Sequence, residues 1–373
     1  MKYKFSDITI NYDSKRVPLS AKQRKERKGK YPYYGAQGII DYIDDYIFDG
    51  KYLLIAEDGE NLKSKKQKVA QLADGRYWVN NHAHIVQTND RCLLEYLYYI
   101  FNVTDISGYI TGSAQPKLSQ ANLNAIEFEI PPIQEQKKIV AILSLIDEKI
   151  ELNQKINDNL QQQASALFKK YYAQAYEEVS FTDIIQILGG GTPKTGEPSS
   201  WNGKIPFFTP KDVGLPYTLA TEKTITEEGL AHCNSQLYPL NTVFVTARGT
   251  VGKVGLSGVP MAMNQSCYAL VGKGEHQLLV YFYTLMTVER LRHKASGAVF
   301  DAITTRDFSS EQISKLSNSD TQSFLSVAEP IFKTILSMTV ENQRLAELRN
   351  TLLPKLMTGE IDVSAIQFEA TKV

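Results

Sequence analysis

At 373 residues, with 43% hydrophobic and 22% charged side chains, the chain has room for two or three separately cored domains. No apolar run approaches the ~18–20 residues of a membrane span, and the opening Met1-Lys2-Tyr3-Lys4-Phe5-Ser6-Asp7 lacks a signal peptide's apolar stretch, so a cytoplasmic location is expected. The 41 basic and 41 acidic groups cancel, against a uniformly basic nucleic-acid binder, and Cys92, Cys233 and Cys267 offer no CxxC or Cys/His pair for zinc or a disulfide framework.

In chain order, residues 1–130 read as a globular module of short strands and turns. Strand candidates are 51–56, 78–79 and 84–87, and 93–101 is an apolar helix. Pro131-Pro132 stops the module. Within a central segment, 131–177, Gln134-Glu135-Gln136 opens a helix over 133–172, roughly 60 Å long. A second module spans 178–316, with strands near 243–247 and 269–271 and a helix over 278–293. The rest, 317–373, holds a distal helix over 320–353 and a tail, with Pro354 and Gly359 bounding the helix exit. Pro330 removes a backbone donor, so a break is expected there, leaving 331–353 as the continuous pairing segment. The class is α+β, with two similar α/β modules, each followed by a long helix.

Both long helices carry a stripe with steps of four and three, the pattern by which one helix pairs with another. The first runs Ile139, Leu143, Ile146, Ile150, Asn153, Asn157, Leu160, Ala164, Leu167, Tyr171. The second runs Phe324, Ala328, Ile331, Ile335, Met338, Asn342, Leu345, Arg349, Leu352. The asparagines cost stability but can fix register.

The modules themselves repeat. Lys30-Tyr31-Pro32-Tyr33-Tyr34 resembles Lys204-Ile205-Pro206-Phe207-Phe208. The stretch from Gly50 to Gly59 resembles that from Leu240 to Gly249, and Val79 to Val86 resembles Met263 to Leu270. Ser107-Gly108 matches Ser296-Gly297, and Asn153-Gln154 matches Asn342-Gln343. Five matches in the same order indicate a duplicated, pseudo-twofold chain suited to a bipartite target.

Enzyme signatures fail. Gly189-Gly190-Gly191-Thr192-Pro193-Lys194-Thr195-Gly196 lacks the GxxxxGK[ST] order, and Pro193 interrupts its amide donors, so it reads as a turn. Gly249, Gly252 and Gly255 follow a strand, but no helix and acid follow at dinucleotide-binding spacing. Ile130-Pro131-Pro132-Ile133 lacks the polar first and aromatic last residues of an adenine methyltransferase motif, and no Gly-rich adenosylmethionine loop is present. His82 and His84 read as a polar strand face, lacking a third ligand.

Nucleic-acid contacts fit better. Between Lys15 and Lys30 eight Lys/Arg stand against one acid, Glu26. Within that run Lys22, Arg24, Lys25, Arg27, Lys28 and Lys30 lead into Tyr34 and Gln37, placing phosphate-neutralising charge beside aromatic and amide groups. Gln115 and Lys117 precede the first long helix, and Lys211, Arg248, Lys253 and Arg306 are the second module's candidates.

Several stretches are similar to one family, the specificity subunits of type I restriction–modification systems. They are Pro131-Pro132-Ile133-Gln134-Glu135-Gln136-Lys137-Lys138-Ile139, Ile150-Glu151-Leu152-Asn153-Gln154, Gly190-Gly191-Thr192-Pro193 with Trp201-Asn202-Gly203, and the run from Asn342 through Pro354 and Gly359 to Ile361. The resemblance covers essentially the whole chain. It implies two target recognition domains, each reading half of an interrupted site in double-stranded DNA, and an antiparallel coiled coil that sets the spacing. It implies a non-catalytic subunit that docks two methyltransferase subunits and, through them, restriction/translocase subunits. No cofactor is expected in this chain; adenosylmethionine, ATP and magnesium belong on the partners, in a prokaryotic cytoplasm. The sequence departs where Thr321-Gln322-Ser323 replaces the Glu-Gln opening and where Pro330 falls. Other readings are a solo adenine DNA methyltransferase with divergent motifs and a protein-binding coiled-coil adaptor.

Overall fold

The computed structural model describes residues 1–112, 115–214, 216–294 and 302–366. The chain divides into one unit of Met1–Glu148 with Leu345–Val373 and another of Lys149–Arg344. The first unit's strands are β1 (Lys2–Lys4), β2 (Thr9–Asn11), β3 (Lys28–Gly35), β4 (Gly38–Ile43), β5 (Phe48–Asp49), β6 (Tyr52–Ala56), β7 (Ala70–Ala73), β8 (Arg76–Val79), β9 (Ala83–Thr88) and β10 (Glu127–Glu129). Its shorter helices are α1 (Phe5–Ile8), α2 (Ala21–Glu26), α3 (Asn61–Ser64), α4 (Leu94–Val103) and α5 (Gln120–Ala125), followed by the long α6 (Ile133–Tyr172). The second unit adds β11 (Glu177–Ser180), α7 (Phe181–Ile184), β12 (Ile185–Gly189), β13 (Trp201–Phe208), β14 (Tyr217–Thr218), β15 (Lys223–Ile225), α8 (Glu227–Ala231), β16 (Val243–Thr246), β17 (Val254–Ser257), β18 (Ala262–Met263), β19 (Cys267–Gly272), α9 (Gln277–Lys294), α10 (Thr305–Ser309) and β20 (Gln312–Lys315). The long α11 (Asn318–Met357) follows β20.

The two units share a common strand core, to which the second adds β14 and, among the described residues, brings no counterpart of β5. In the first, β1 pairs with β10 and the sheets run β2-β9-β6-β7 and β4-β3-β8-β5. In the second, β11 pairs with β20 and the sheets run β12-β19-β16-β17-β14 and β15-β13-β18. The parallel pairing of β3 with β8 recurs as that of β13 with β18. The central strands β6 and β16 are the sheets' most apolar runs and are almost wholly buried, as strands flanked on both sides require. Helix α4 lays Tyr96, Leu97, Ile100 and Phe101 against the β6–β9 sheet, in one core with Phe5 and Phe128. In the second unit α9 does the same with Leu279, Val280, Phe282 and Tyr283. Short helices enter both units with matching sequences, Phe5-Ser6-Asp7-Ile8 and Phe181-Thr182-Asp183-Ile184. Each aspartate accepts from the capping residue's amide, Lys4 N at 2.9 Å and Ser180 N at 3.2 Å.

The long helices pair antiparallel. Within the second unit Asn153 meets Asn342 and Asn157 meets Thr339, one number rising as the other falls. Further along, Ala164 and Phe168 of α6 pack with Phe324, Ala328, Phe332 and Ile335 of α11, and Phe168 stacks on Phe282 at 5.1 Å. In the first unit Ile139, Leu143, Leu353 and Leu356 share a core, and Arg349 reaches Asp147 at 2.5 Å. Buried Gln136 accepts from Leu93 N at 2.8 Å and donates to Arg91 O and Pro131 O, both at 2.9 Å, tying the helix opening to the module before it.

The structure corrects three expectations. Helix α11 runs unbroken through Pro330. The proline sits on the exposed face, where water can satisfy the freed Ser326 carbonyl, while Phe324, Ala328 and Phe332 hold the opposite face. Pro354 lies inside the last turns, and the helix ends before Gly359, whose φ of +73° suits an exit. The seam also drifts. Ile331, Met338, Leu345, Leu352, Ile150, Leu160 and Leu167 are half-buried, and the fully buried positions include Phe332, Leu353, Leu356 and Phe168. A strict 3.5-residue stripe lags a helix of 3.6 residues per turn, so distant positions slip to the next residue. The Ser296-Gly297 match lies outside the described residues, as do Ser113 and Ala114.

Candidate nucleic-acid interface

In the first unit four segments converge at one end of the β2-β9-β6-β7 sheet. They are the β3–β4 turn with Gln37, the exit of β6 at Glu57-Asp58-Gly59, the β8–β9 turn at Asn80–His82, and residues 115–118. The joining bonds are backbone ones: Asn80 N to Tyr34 O at 3.0 Å, Glu57 N to His82 O at 2.9 Å, Gly59 N to Pro116 O at 3.1 Å, and Leu118 N to Glu57 O at 2.8 Å. The sheet therefore supplies a rigid base for short exposed tips.

Beneath the tips lies a charged network. Arg16 pairs with Glu57 at 2.7 Å and Asp13 at 3.4 Å, and also donates to Ala83 O at 2.8 Å. Lys117 reaches the other Glu57 oxygen at 3.3 Å. His84, fully buried, contacts Asp13 at 2.6 Å through Nδ1 and donates from Nε2 to Leu118 O at 2.8 Å. Burial alone would raise the Asp13 carboxyl, but the His84 contact and the Ile85 amide outweigh it and hold it below the usual range. Glu57 is depressed in the same way, burial being outweighed by Arg16, His84 and Lys117. His82 is not on the strand face: it sits in the exposed turn with Nδ1 at 2.7 Å from Asp58.

The second unit rebuilds this end with other side chains. Asn264 N bonds Phe208 O at 2.9 Å, Ala247 N bonds Ser266 O at 2.8 Å, and Ile303 N bonds Ala247 O at 2.9 Å. The equivalent positions are therefore Glu57 and Ala247, Asp58 and Arg248, and His82 and Ser266. Thr246 closes the 246–252 turn, since its hydroxyl donates to Thr250 O and its carbonyl accepts from Gly252 N at 2.8 Å.

Gly190 and Gly191 pack against this end. A Cβ at Gly190 would lie 2.2 Å from Asn264 O, and one at Gly191 would lie 2.5 Å from Asn234 N. Close backbone approach thus accounts for Gly190 and Gly191 without a phosphate.

The basic run is divided in space. Ser20 caps α2, with Gln23 completing the box. Arg24 donates to Leu19 O at 2.7 Å, pairs with Asp41 at 3.3 Å and lies over Tyr33. Arg27 pairs with Asp44 at 2.9 Å and lies over Trp78, Lys28 pairs with Asp41, and Lys30 lies over Tyr31. Lys22 and Lys25 are exposed and make no ion pair with any described residue. Tyr34 is half-buried, edge-on to Tyr77 at 5.3 Å, rather than offering an open face. Gln37, Gln115, Lys253, Arg248 and Arg306 are exposed, Lys211 is exposed beside Glu222 at 4.0 Å, and Lys117 is held by Glu57.

Among the described residues no group of three or more His, Cys, Asp or Glu side chains is placed to hold a metal, and no helix is long and apolar enough to cross a membrane.

Comparison with known proteins agrees with this geometry. A family model described as the type I restriction modification DNA specificity domain matches residues 2–162 and 174–317. A Haemophilus influenzae protein named as a putative type I restriction enzyme specificity subunit is 36% identical over 118 residues, 32% of this chain and 30% of that protein. The chain thus spans under a third of that relative in the matched region. The Haemophilus influenzae HindI specificity subunit is 22% identical over 87% of both chains. The crystal structure of a type I restriction–modification S subunit from M. genitalium, 14% identical, covers 95% of both chains with a TM-score of 0.58, a likeness of fold. With the family model matching both modules, the chain belongs to the type I restriction–modification DNA specificity family.

Proposed function

We propose that the chain is the non-catalytic specificity subunit of a type I restriction–modification complex, with target recognition domains over 1–130 and 178–316. Each domain reads one half of a bipartite site in double-stranded DNA, and the paired helices set the length of the spacer. The helices dock two methyltransferase subunits, and restriction/translocase subunits join through them, in a prokaryotic cytoplasm. Adenosylmethionine, ATP and magnesium are carried by those partners. The observation that supports this most is one strand core built twice with chemically different loop tips. Such a pair suits two unlike half-sites, because exposed tips carry base readout while the scaffold only positions them.

The test is selection from random duplex DNA by the chain purified with its methyltransferase partner. A single two-part sequence is expected, and an uninterrupted site or no preference would overturn the reading. Saturable adenosylmethionine binding by the chain alone would favour a solo methyltransferase instead.

A further inference from the structure

The two loop ends share a skeleton, and at one shared position their charge is reversed. In the first unit the residue after Glu57 is Asp58, whose backbone forms a β-bridge with that of Lys117. In the second the residue after Ala247 is Arg248, bridged to Ala302. Each is followed by a glycine at positive φ, Gly59 at +113° and Gly249 at +79°. Asp58 is occupied by His82 at 2.7 Å. Arg248 is exposed, and its side chain makes no ion pair with any described residue. Its backbone is pinned: Arg248 N donates to Ser266 O at 3.2 Å, the Ala302 bridge holds the other side, and Thr246 closes the turn beyond it. A fixed base under a guanidinium that has no ion-pair partner among the described residues is the arrangement that loses least ordering entropy on contact.

Resting on the reading above, we infer that Arg248 is a specificity-determining residue of the second half-site, taking guanine through two parallel hydrogen bonds to O6 and N7. A guanidinium fork matches those two acceptors, whereas the point charge of a lysine such as Lys253 does not. The first unit places a carboxylate–histidine pair at the same position, so its half-site is read there by other chemistry. The base contacted from this position therefore differs between the halves.

The experiment uses the chain assembled with its methyltransferase partner and reads both half-sites by sequencing selected or methylated DNA. With Arg248→Ala, one G·C position in one half-site is expected to lose discrimination by roughly 5- to 150-fold, with every other position kept. Arg248→Lys keeps the charge and serves if the alanine variant fails to assemble. It is expected to relax the same position while the salt dependence of affinity stays as in the parent. If Arg248→Ala weakens all sequences alike and lowers the salt slope by about one, Arg248 is a phosphate contact and the inference fails, while two-part recognition stands. If the parent complex selects no two-part sequence, the proposed function itself fails.

Discussion

The asparagine pair between the long helices, buried at Asn153 and half-buried at Asn342, should show strong energetic coupling. Asn153 has no exposed surface. Its amide donates to Asn342 Oδ1 at 2.9 Å and to Glu341 at 2.7 Å, while its own Oδ1 has no partner among the described residues. Asn342 in turn donates to Ile150 O at 3.4 Å. Asn153→Leu strands the Asn342 oxygen, and Asn342→Leu strands the Asn153 amide apart from Glu341. Each orphaned buried group costs about 1–3 kcal/mol, partly offset by the added apolar burial, so each single variant should lose about 1–2 kcal/mol. The double leucine variant removes both polar groups and the pre-existing orphan, so it should match or exceed the parent. The coupling then comes to about 2 kcal/mol or more. Urea unfolding followed by hydrogen exchange of the α6 and α11 amides measures it. Single and double changes that add within about 0.5 kcal/mol would refute the argument.

Other consequences follow from the same geometry. Asp13 and Glu57 are held below their unfolded values, so the stability they contribute is full above about pH 5 and is lost as pH falls through about 4 and below. Asp13→Asn should be less stable at pH 7 and show a flatter acid limb in urea midpoints; an unchanged limb would contradict this. In the basic run, Lys22→Ala with Lys25→Ala should lower the salt slope of DNA affinity by about two without moving the Tm. Arg27→Ala should cost about 1 kcal/mol of stability through the lost Trp78 and Asp44 contacts; the reverse pattern would contradict the division. Removing one matched heptad from each long helix, about 10 Å, should change the spacer by about three base pairs and leave both half-sites intact. A constant spacer in the selected DNA would contradict the proposed role of the helices.

Much of the scaffold was legible because it depends on local signals. The α6 bounds follow from Pro132 ahead of the helix and a long stripe, and β6 and β16 from short apolar runs. Pro330 misled because sequence does not say which helix face meets solvent, and here the proline falls on the wet one. The seam slipped because a 3.5-residue template accumulates error over ten turns of a 3.6-residue helix. The matched Phe5-Ser6-Asp7-Ile8 and Phe181-Thr182-Asp183-Ile184 starts were readable as an aspartate three positions after the cap and were overlooked. The site was less legible. Asp41, Asp44 and Asp45, which neutralise Arg24, Arg27 and Lys28, arrive from another strand and its following turn. Arg16, Glu57 and His84 form a network only after the sheet has assembled, so no spacing could announce them.

The central claim is two-part DNA recognition by this chain, and a genome-wide map of methylated adenines with and without its gene tests it most directly. The account predicts one interrupted sequence, of two unlike halves at a fixed spacing, whose methylation vanishes with the gene. Methylation that persists without the gene, or that follows an uninterrupted sequence, would contradict it.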